Sequence, residues 1–218
     1  IGIPKTVDND LPYTDCSPGF GSVAKYVATS TLEAGLDVKS MAETSTKVFI
    51  LEVMGRHAGW IAAASCLAAS NQGDPPHIIL LPEVPFEKGK FIAQVKQTVK
   101  SNGYCVIVAS EGTKTKVGKF LADSGLTDAF GHKQLGGVAP VISSMISKIG
   151  LKNHWAVADY LQRSARHIAS KTDLDQAYAV GEHAVKLAVA GETAVMPIIK
   201  RISDSPYKWK IATAPLKN

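Results

Sequence analysis

The chain has 218 residues, of which 45% are hydrophobic and 20% charged, which excludes a disordered chain and allows one large domain or two small ones. No apolar run approaches the roughly 18 residues that a membrane-spanning helix needs. The net charge of +5 comes from scattered lysines with only 7% aromatics, unlike the basic stripe with interleaved aromatics of a nucleic-acid face.

The sequence opens Ile1-Gly2-Ile3-Pro4 with no Met and runs straight into a polar loop. It reads as the end of a buried strand whose beginning is missing, so a fragment is expected. Lys5, Asp8 and Asp10 in the opening stretch are unlike the greasy core of a signal peptide. Gly19 to Leu36 is predicted as a helix, with Val23, Val27, Thr31 and Ala34 on one face and Gly35 near its stop. Lys47 to Met54 is an almost unbroken apolar run rich in branched residues, as in a parallel strand covered on both faces. After the Gly55–Gly59 turn, Trp60 to Ser70 is predicted as an Ala-rich helix. His77 to Leu81 is a short strand ended by Pro82, Phe91 to Lys100 an amphipathic helix stopped by Asn102-Gly103, and Tyr104 to Ala109 a third buried strand. Pro140 to Ile149 is a helix with Pro140 in its first turn, where the missing N–H costs nothing. Val157 to Leu161 is predicted as a strand. A long helix starts at a Thr172 N-cap, carries Asp173 and Asp175 in its first turn to match the helix dipole, and ends at Gly191. Val195 to Ile202 and Trp209 to Ala212 read as closing strands. The alternation of strands and helices with short turns predicts an α/β fold with an open, largely parallel sheet.

Cys16, Cys66 and Cys105 are odd in number and widely spaced. A disulfide framework and a CxxC metal knuckle are both excluded, and a reducing, cytoplasmic compartment fits.

Ligands of open α/β sheets bind at the carboxyl ends of the strands. Four polar loops fall there: Pro4 to Asp10, Gly55 to Gly59, Ser110 to Thr113 and Gln162 to Arg166. The first packs a lysine, a threonine and two aspartates together. One carboxylate can take a proton while the other holds a metal, and a neighbouring lysine can neutralise phosphate. The same run also reads as an Asx-turn with surface charges. In the second loop, Gly55 and Gly59 let backbone approach a ligand and Arg56 offers a planar fork, although a tight turn with a solvent-facing Arg has the same pattern. Glu111 sets a carboxylate at a strand end, where it could accept sugar hydroxyls. Arg163 and Arg166, three apart, suit a phosphate or the start of a surface helix.

Together these loops carry a resemblance. Pro4-Lys5-Thr6-Val7-Asp8-Asn9-Asp10, then Glu52-Val53-Met54-Gly55-Arg56 followed by Gly59, then Ser110-Glu111-Gly112, then Gln162-Arg163 resemble the phosphofructokinase family. The likeness runs from Ile1 to about Gly191. Its first two motifs are highly specific in combination and its last is loose. It implies open, mostly parallel sheets flanked by helices in two Rossmann-like lobes, the first incomplete. Residues 1–45 would be the remainder of an N-terminal catalytic lobe, 46–190 a sugar-phosphate-binding lobe, and 191–218 strands returning to the sheet.

The resemblance further implies phosphoryl transfer to the 1-hydroxyl of fructose 6-phosphate. Asp8 would be the base. Asp10 would lie by Mg²⁺ and the transferring group, and Thr6 would contact that group or the substrate. Met54 and Gly55 would line the sugar site, Arg56 would stabilise the phosphoryl group in transfer, and Glu111 would bind sugar hydroxyls. Arg163 matches an arginine on the 6-phosphate, and Tyr160 stands where many bacterial members have His. Lys47 stands where those members place an arginine that reaches the substrate phosphate of a neighbouring subunit, which implies a homodimer or homotetramer. His154 falls near another such position. The segment Gln162-Arg163-Ser164-Ala165-Arg166 departs from the family's usual Gln-Arg-Gly-Gly.

Lys5 bears on the donor. Many ATP-dependent bacterial members have Gly there, and Pro-Lys-Thr resembles the pyrophosphate-dependent branch, while some ATP-dependent members share it. The decisive Gly-Gly-Asp-Asp or Gly-Gly-Asp-Gly loop is not within the sequence. Pyrophosphate is therefore the expected donor and ATP the alternative. An alternative of another class is a non-catalytic sugar-phosphate-binding fragment or regulatory subunit, and the 218 residues alone are expected to be inactive. A dinucleotide-binding oxidoreductase is disfavoured because no G-x-G-x-x-G follows a strand.

Overall fold

The computed structural model describes residues 1–127, 133–135 and 137–216. Its elements in chain order are α1 (Phe20–Met41), β1 (Val48–Val53), α2 (Trp60–Ala64), β2 (Ile78–Leu80), α3 (Lys88–Asn102), β3 (Cys105–Ser110), β4 (Asp123–Thr127) and β5 (Lys133–Leu135). They continue with α4 (Val138–Ser147), β6 (Asn153–Val157), α5 (Leu161–Ser164), α6 (Lys171–Val189), β7 (Val195–Asp204) and β8 (Tyr207–Pro215). Two compact units form. One joins Ile1–Lys25 to Ala165–Asn218, and the other is Tyr26–Ser164. This division differs from the one expected at 45 and 190.

The Tyr26–Ser164 unit is built on a four-stranded sheet in the order β2-β3-β1-β6, with every neighbouring pair parallel. Side chains alternate between the two faces of a strand, and both faces of β1 and β3 are covered. Val48 and Ile50 of β1 and Cys105 and Ile107 of β3 pack with Phe91 and Val95 of α3 and Ile142 and Ile146 of α4. Phe49 and Val106, on the other face, pack with Val38 and Ala42 from the later turns of α1. That two-sided cover is why both strands read as unbroken apolar runs.

Several expected boundaries move. Helix α1 runs past Gly35, which is not a stop. A Cβ there would overlap the Pro75 ring, so this glycine is a close-packing position inside the helix. The Ala-rich segment after Gly59 is a short α-helix continued by a 3₁₀ turn over Ser65–Ala68. The last strand of the sheet is Asn153–Val157, and Leu161 opens a helix instead of closing a strand. Strand β6 lies at the sheet edge with His154, Trp155, Ala156 and Val157 exposed, so it lacks the two-sided burial that makes β1 and β3 unbroken apolar runs. Strands β4 and β5, an antiparallel pair, were not foreseen.

In the other unit, β7 and β8 form an antiparallel two-stranded sheet of their own and, among the described residues, do not rejoin the four-stranded sheet. Met196, Ile198 and Ala214 make its small core. The N-terminal segment is tied to this hairpin, with Gly2 N–H donating to the Val195 carbonyl and Asp15 N–H to that of Ile199, at 2.9 and 2.8 Å. The N-cap of α6 is Ser170, whose hydroxyl accepts from Asp173 N–H, and not Thr172. Asp173 is buried because its carboxylate accepts from Gly19 N–H at 2.7 Å and from the N–H and hydroxyl of Ser22 at 3.1 and 2.5 Å. One acid thus serves the first turns of both α6 and α1.

Candidate active site

Strands β3, β1 and β6 are neighbours, so the loops at their carboxyl ends lie side by side. Pairing continues one residue past the strands. Glu111 N–H donates to the Val53 carbonyl and Ala158 N–H to that of Glu52, both at 2.9 Å.

Two glycines bring the Arg56 turn and the Glu111 loop together. Gly55 has φ +119°, and a Cβ on it would sit 2.5 Å from the Ala58 carbonyl oxygen. A Cβ on Gly112 would overlap the backbone of Arg56. Only a residue without a side chain permits either arrangement. Buried Ser110 locks the pair, its hydroxyl donating to the Gly55 carbonyl at 2.6 Å and accepting from Gly112 N–H at 3.0 Å. Met54 and Arg56 are half-buried, as is Glu111. Arg56 and Glu111 thus rise from adjoining backbones, which sets a cation next to a carboxylate.

The loop after β6 meets the same turn through Gln162, which is 2% exposed. Its Oε1 accepts from Met54 N–H at 3.3 Å, and its Nε2 donates to the Asp159 carbonyl at 2.8 Å. Arg163 and Tyr160 are exposed, and the guanidinium stands 4.2 Å from the ring centroid in a cation–π contact. Glu52, 5% exposed in β1, accepts from Ala139 N–H at 2.8 Å at the start of α4. Burial pushes its carboxyl above the usual range, and the Ala139 and Val138 amides pull it back.

Lys47 does not join these loops within its own chain. It precedes β1 at the amino end, and six strand residues put about 20 Å between it and the Met54 turn. Its ammonium donates to the Ala42 carbonyl.

The Pro4–Asp10 loop belongs to the other unit. Thr6 Oγ1 accepts from Asp8 N–H at 3.1 Å, a local side-chain turn, and Asn9 takes φ 58° while its Oδ1 accepts from Ser17 N–H at 2.8 Å. Asn9 therefore anchors the loop between two acids. Asp8 and Thr6 are half-buried, and Lys5 and Asp10 are exposed. Behind the loop, Asp15 accepts from Arg201 and from the Tyr207 hydroxyl, at 2.8 and 2.9 Å, and Cys16 donates to Gln176 at 3.3 Å. Burial, then the neighbouring Asp15, push the Cys16 thiol up to about 11, so it stays protonated near neutrality. Among the described residues, no group of three or more His, Cys, Asp or Glu could hold a metal ion.

In the sequence, Gln162, Glu52 and Ser110 stand within the motifs and Asp173 in the first turn of a helix, but none of the four carries a role of its own there. Glu52 left a further signal, a charge inside an apolar strand.

Residues 1–188 match the profile of the family described as phosphofructokinase. Over 217 residues the chain is 67% identical to a protein of Halomonas elongata named pyrophosphate–fructose 6-phosphate 1-phosphotransferase, covering 99% of this chain and 52% of that protein. It is 34% identical over 202 residues to ATP-dependent 6-phosphofructokinase 3 of Streptomyces coelicolor, covering 92% of this chain and 56% of that protein. The crystal structure of the pyrophosphate-dependent phosphofructokinase of Marinobacter aquaeolei superposes with a TM-score of 0.87 at 60% identity, over 99% of this chain and 50% of that one. The chain spans about half the length of the curated relatives it matches. With three of the motif loops set on neighbouring strand ends and the family profile covering most of its length, the chain belongs to the phosphofructokinase family.

Proposed function

We propose that the protein carrying this chain moves a phosphoryl group from pyrophosphate to the 1-hydroxyl of fructose 6-phosphate, reversibly, giving fructose 1,6-bisphosphate and inorganic phosphate. The observation that carries the acceptor half is the joined backbone of Arg56 and Gly112, which sets a phosphate-binding cation beside the sugar-facing Glu111. The donor half rests on the identity of 67% to a pyrophosphate-dependent relative against 34% to an ATP-dependent one, and on Lys5 in the Pro-Lys-Thr run.

Asp8 accepts the proton of the 1-hydroxyl as its oxygen attacks phosphorus. The new O–P bond forms while the bond to the departing phosphate breaks. Arg56 neutralises charge on the equatorial oxygens, and Lys5 offsets the dense charge of pyrophosphate. Such transfers depend on positioning and charge neutralisation more than on covalent chemistry. Thr6 holds the Asp8 amide and contacts the phosphoryl group or the substrate. Met54 and Gly55 line the sugar site, Glu111 accepts its hydroxyls, and Arg163 with Tyr160 takes the 6-phosphate. Lys47 serves the substrate phosphate of a neighbouring subunit in a homodimer or homotetramer.

Asp10 would hold Mg²⁺, which supplies charge neutralisation on the phosphates when bound. One exposed carboxylate fits that ion, because Mg²⁺ keeps several waters and takes substrate phosphates as further ligands. No helix among the described residues is long and apolar enough to cross a membrane, and cytoplasmic glycolysis is the proposed setting.

The test is an assay of the full-length protein with fructose 6-phosphate, offering pyrophosphate and ATP in separate reactions. Fructose bisphosphate formed with pyrophosphate alone is the expected result. Formation with ATP alone would overturn the donor, and formation with neither would overturn the function.

A further inference from the structure

We propose that Gln162 is a positioning residue that couples the 6-phosphate loop to the Met54–Arg56 turn, so that binding of the sugar phosphate depends on its side-chain amide. The inference rests on the functional reading above and deepens it.

Main-chain pairing between β1 and β6 ends with the Ala158-to-Glu52 bond. Beyond it the two chains separate into the Met54 turn and the Asp159–Ser164 loop. Gln162 bridges them, holding Met54 N–H on its oxygen and the Asp159 carbonyl on its nitrogen. It is buried among exposed neighbours, since Tyr160, Leu161, Arg163 and Ser164 all face solvent. A lone buried polar residue in an exposed stretch acts as a peg for that stretch. The anchored partners also sit at the working positions. Met54 immediately precedes Gly55 and Arg56. Asp159, held at φ 37°, immediately precedes Tyr160, whose ring carries the Arg163 guanidinium.

The chemistry of the bridge needs an amide. It offers an acceptor and a donor on one planar group, whereas an ionised carboxylate has no donor and a thioether has neither in useful strength. Losing the amide leaves a main-chain N–H and a carbonyl without these partners and frees Arg163 to drift relative to Arg56. The arginine that reads the 6-phosphate would then no longer be in register with the turn that handles the 1-position.

The experiment uses the full-length protein with Gln162→Met, which keeps length and bulk but removes both bonds. Gln162→Asn keeps the amide but is one methylene too short to span both partners, and it serves if the first variant does not fold. Binding of fructose 6-phosphate is read by calorimetry without donor, alongside KM for sugar phosphate and pyrophosphate, kcat and Tm. The expected result is an affinity for fructose 6-phosphate about tenfold weaker, with the pyrophosphate KM within about twofold of wild type. Unchanged sugar-phosphate affinity would overturn the proposal. So would an equal rise in both KM values with a fall in Tm, which marks general loosening. If the wild type itself binds no fructose 6-phosphate, the functional reading fails, and this inference falls with it.

Discussion

The backbone of Arg56 lies directly against Gly112, a residue 56 positions later in the chain and on the neighbouring strand's loop. A methyl group at Gly112 would meet main-chain atoms, which cannot rotate away as a side-chain tip can. Gly112→Ala is therefore expected to displace the Arg56 turn and cost about 1–3 kcal/mol of stability, the range typical of overpacking. Urea unfolding read with the KM for fructose 6-phosphate checks this, and a variant with wild-type values for both would contradict it.

Glu52 makes stability depend on pH. Its folded-state carboxyl is held above the ordinary 4.5, chiefly by burial. The folded state then keeps its proton to higher pH than the unfolded state, so protons bound in the native form exceed those in the unfolded form across that window. The contribution of Glu52 is fully present below 4.5 and is lost as pH rises through the folded value. Glu52→Gln keeps an oxygen for Ala139 N–H but cannot ionise. Its unfolding free energy relative to wild type is expected to rise as pH increases from 4.5 through that window, and parallel stability curves would refute the assignment.

Asp173→Asn replaces a carboxylate that Gly19 and Ser22 both address. An amide that turns its nitrogen towards either donor cannot accept from it. Hydrogen bonds to charged groups contribute about 1.5–3 kcal/mol each, so a loss of that order is expected. Ser170→Ala, which removes only the N-cap acceptor of α6, should cost about 1 kcal/mol. Chemical denaturation of both variants tests the ranking.

Asp8→Asn in the full-length protein should lower kcat by about 10²–10⁴ while leaving both KM values nearly unchanged, as for removal of a general base. Steady-state kinetics decides, and a surviving kcat would remove Asp8 from that role.

Lys5→Gly should raise the KM for pyrophosphate more than that for fructose 6-phosphate. If both rise equally, Lys5 is not specific to the donor, and Pro-Lys-Thr says nothing about pyrophosphate.

The sheet was legible before the structure because β1 and β3 are covered on both faces and so must be apolar throughout. The edge strand β6 was misplaced for the opposite reason. Its exposed His154, Trp155 and Val157 owe their strand conformation to pairing with β1, a contact that no local pattern announces. Gly35 misled in the same way, since a glycine that ends a helix and one that admits Pro75 look alike in a string of letters. Lys47 was recognisable as a residue type at a strand start, but its distance from the carboxyl-end loops follows from the direction of the strand.

Read alone, the amino-acid string was enough for the α/β class, the order of buried strands and the four polar loops, because hydrophobic periodicity and turn chemistry are local properties. Folding alone decided that Gln162 spans Met54 and Asp159, that Glu52 meets the start of α4, that Asp173 serves two helices and that Gly112 admits Arg56. Most of these contacts join residues far apart along the chain, and their partners are chiefly main-chain groups, which every residue carries and which therefore leave no mark in composition or spacing.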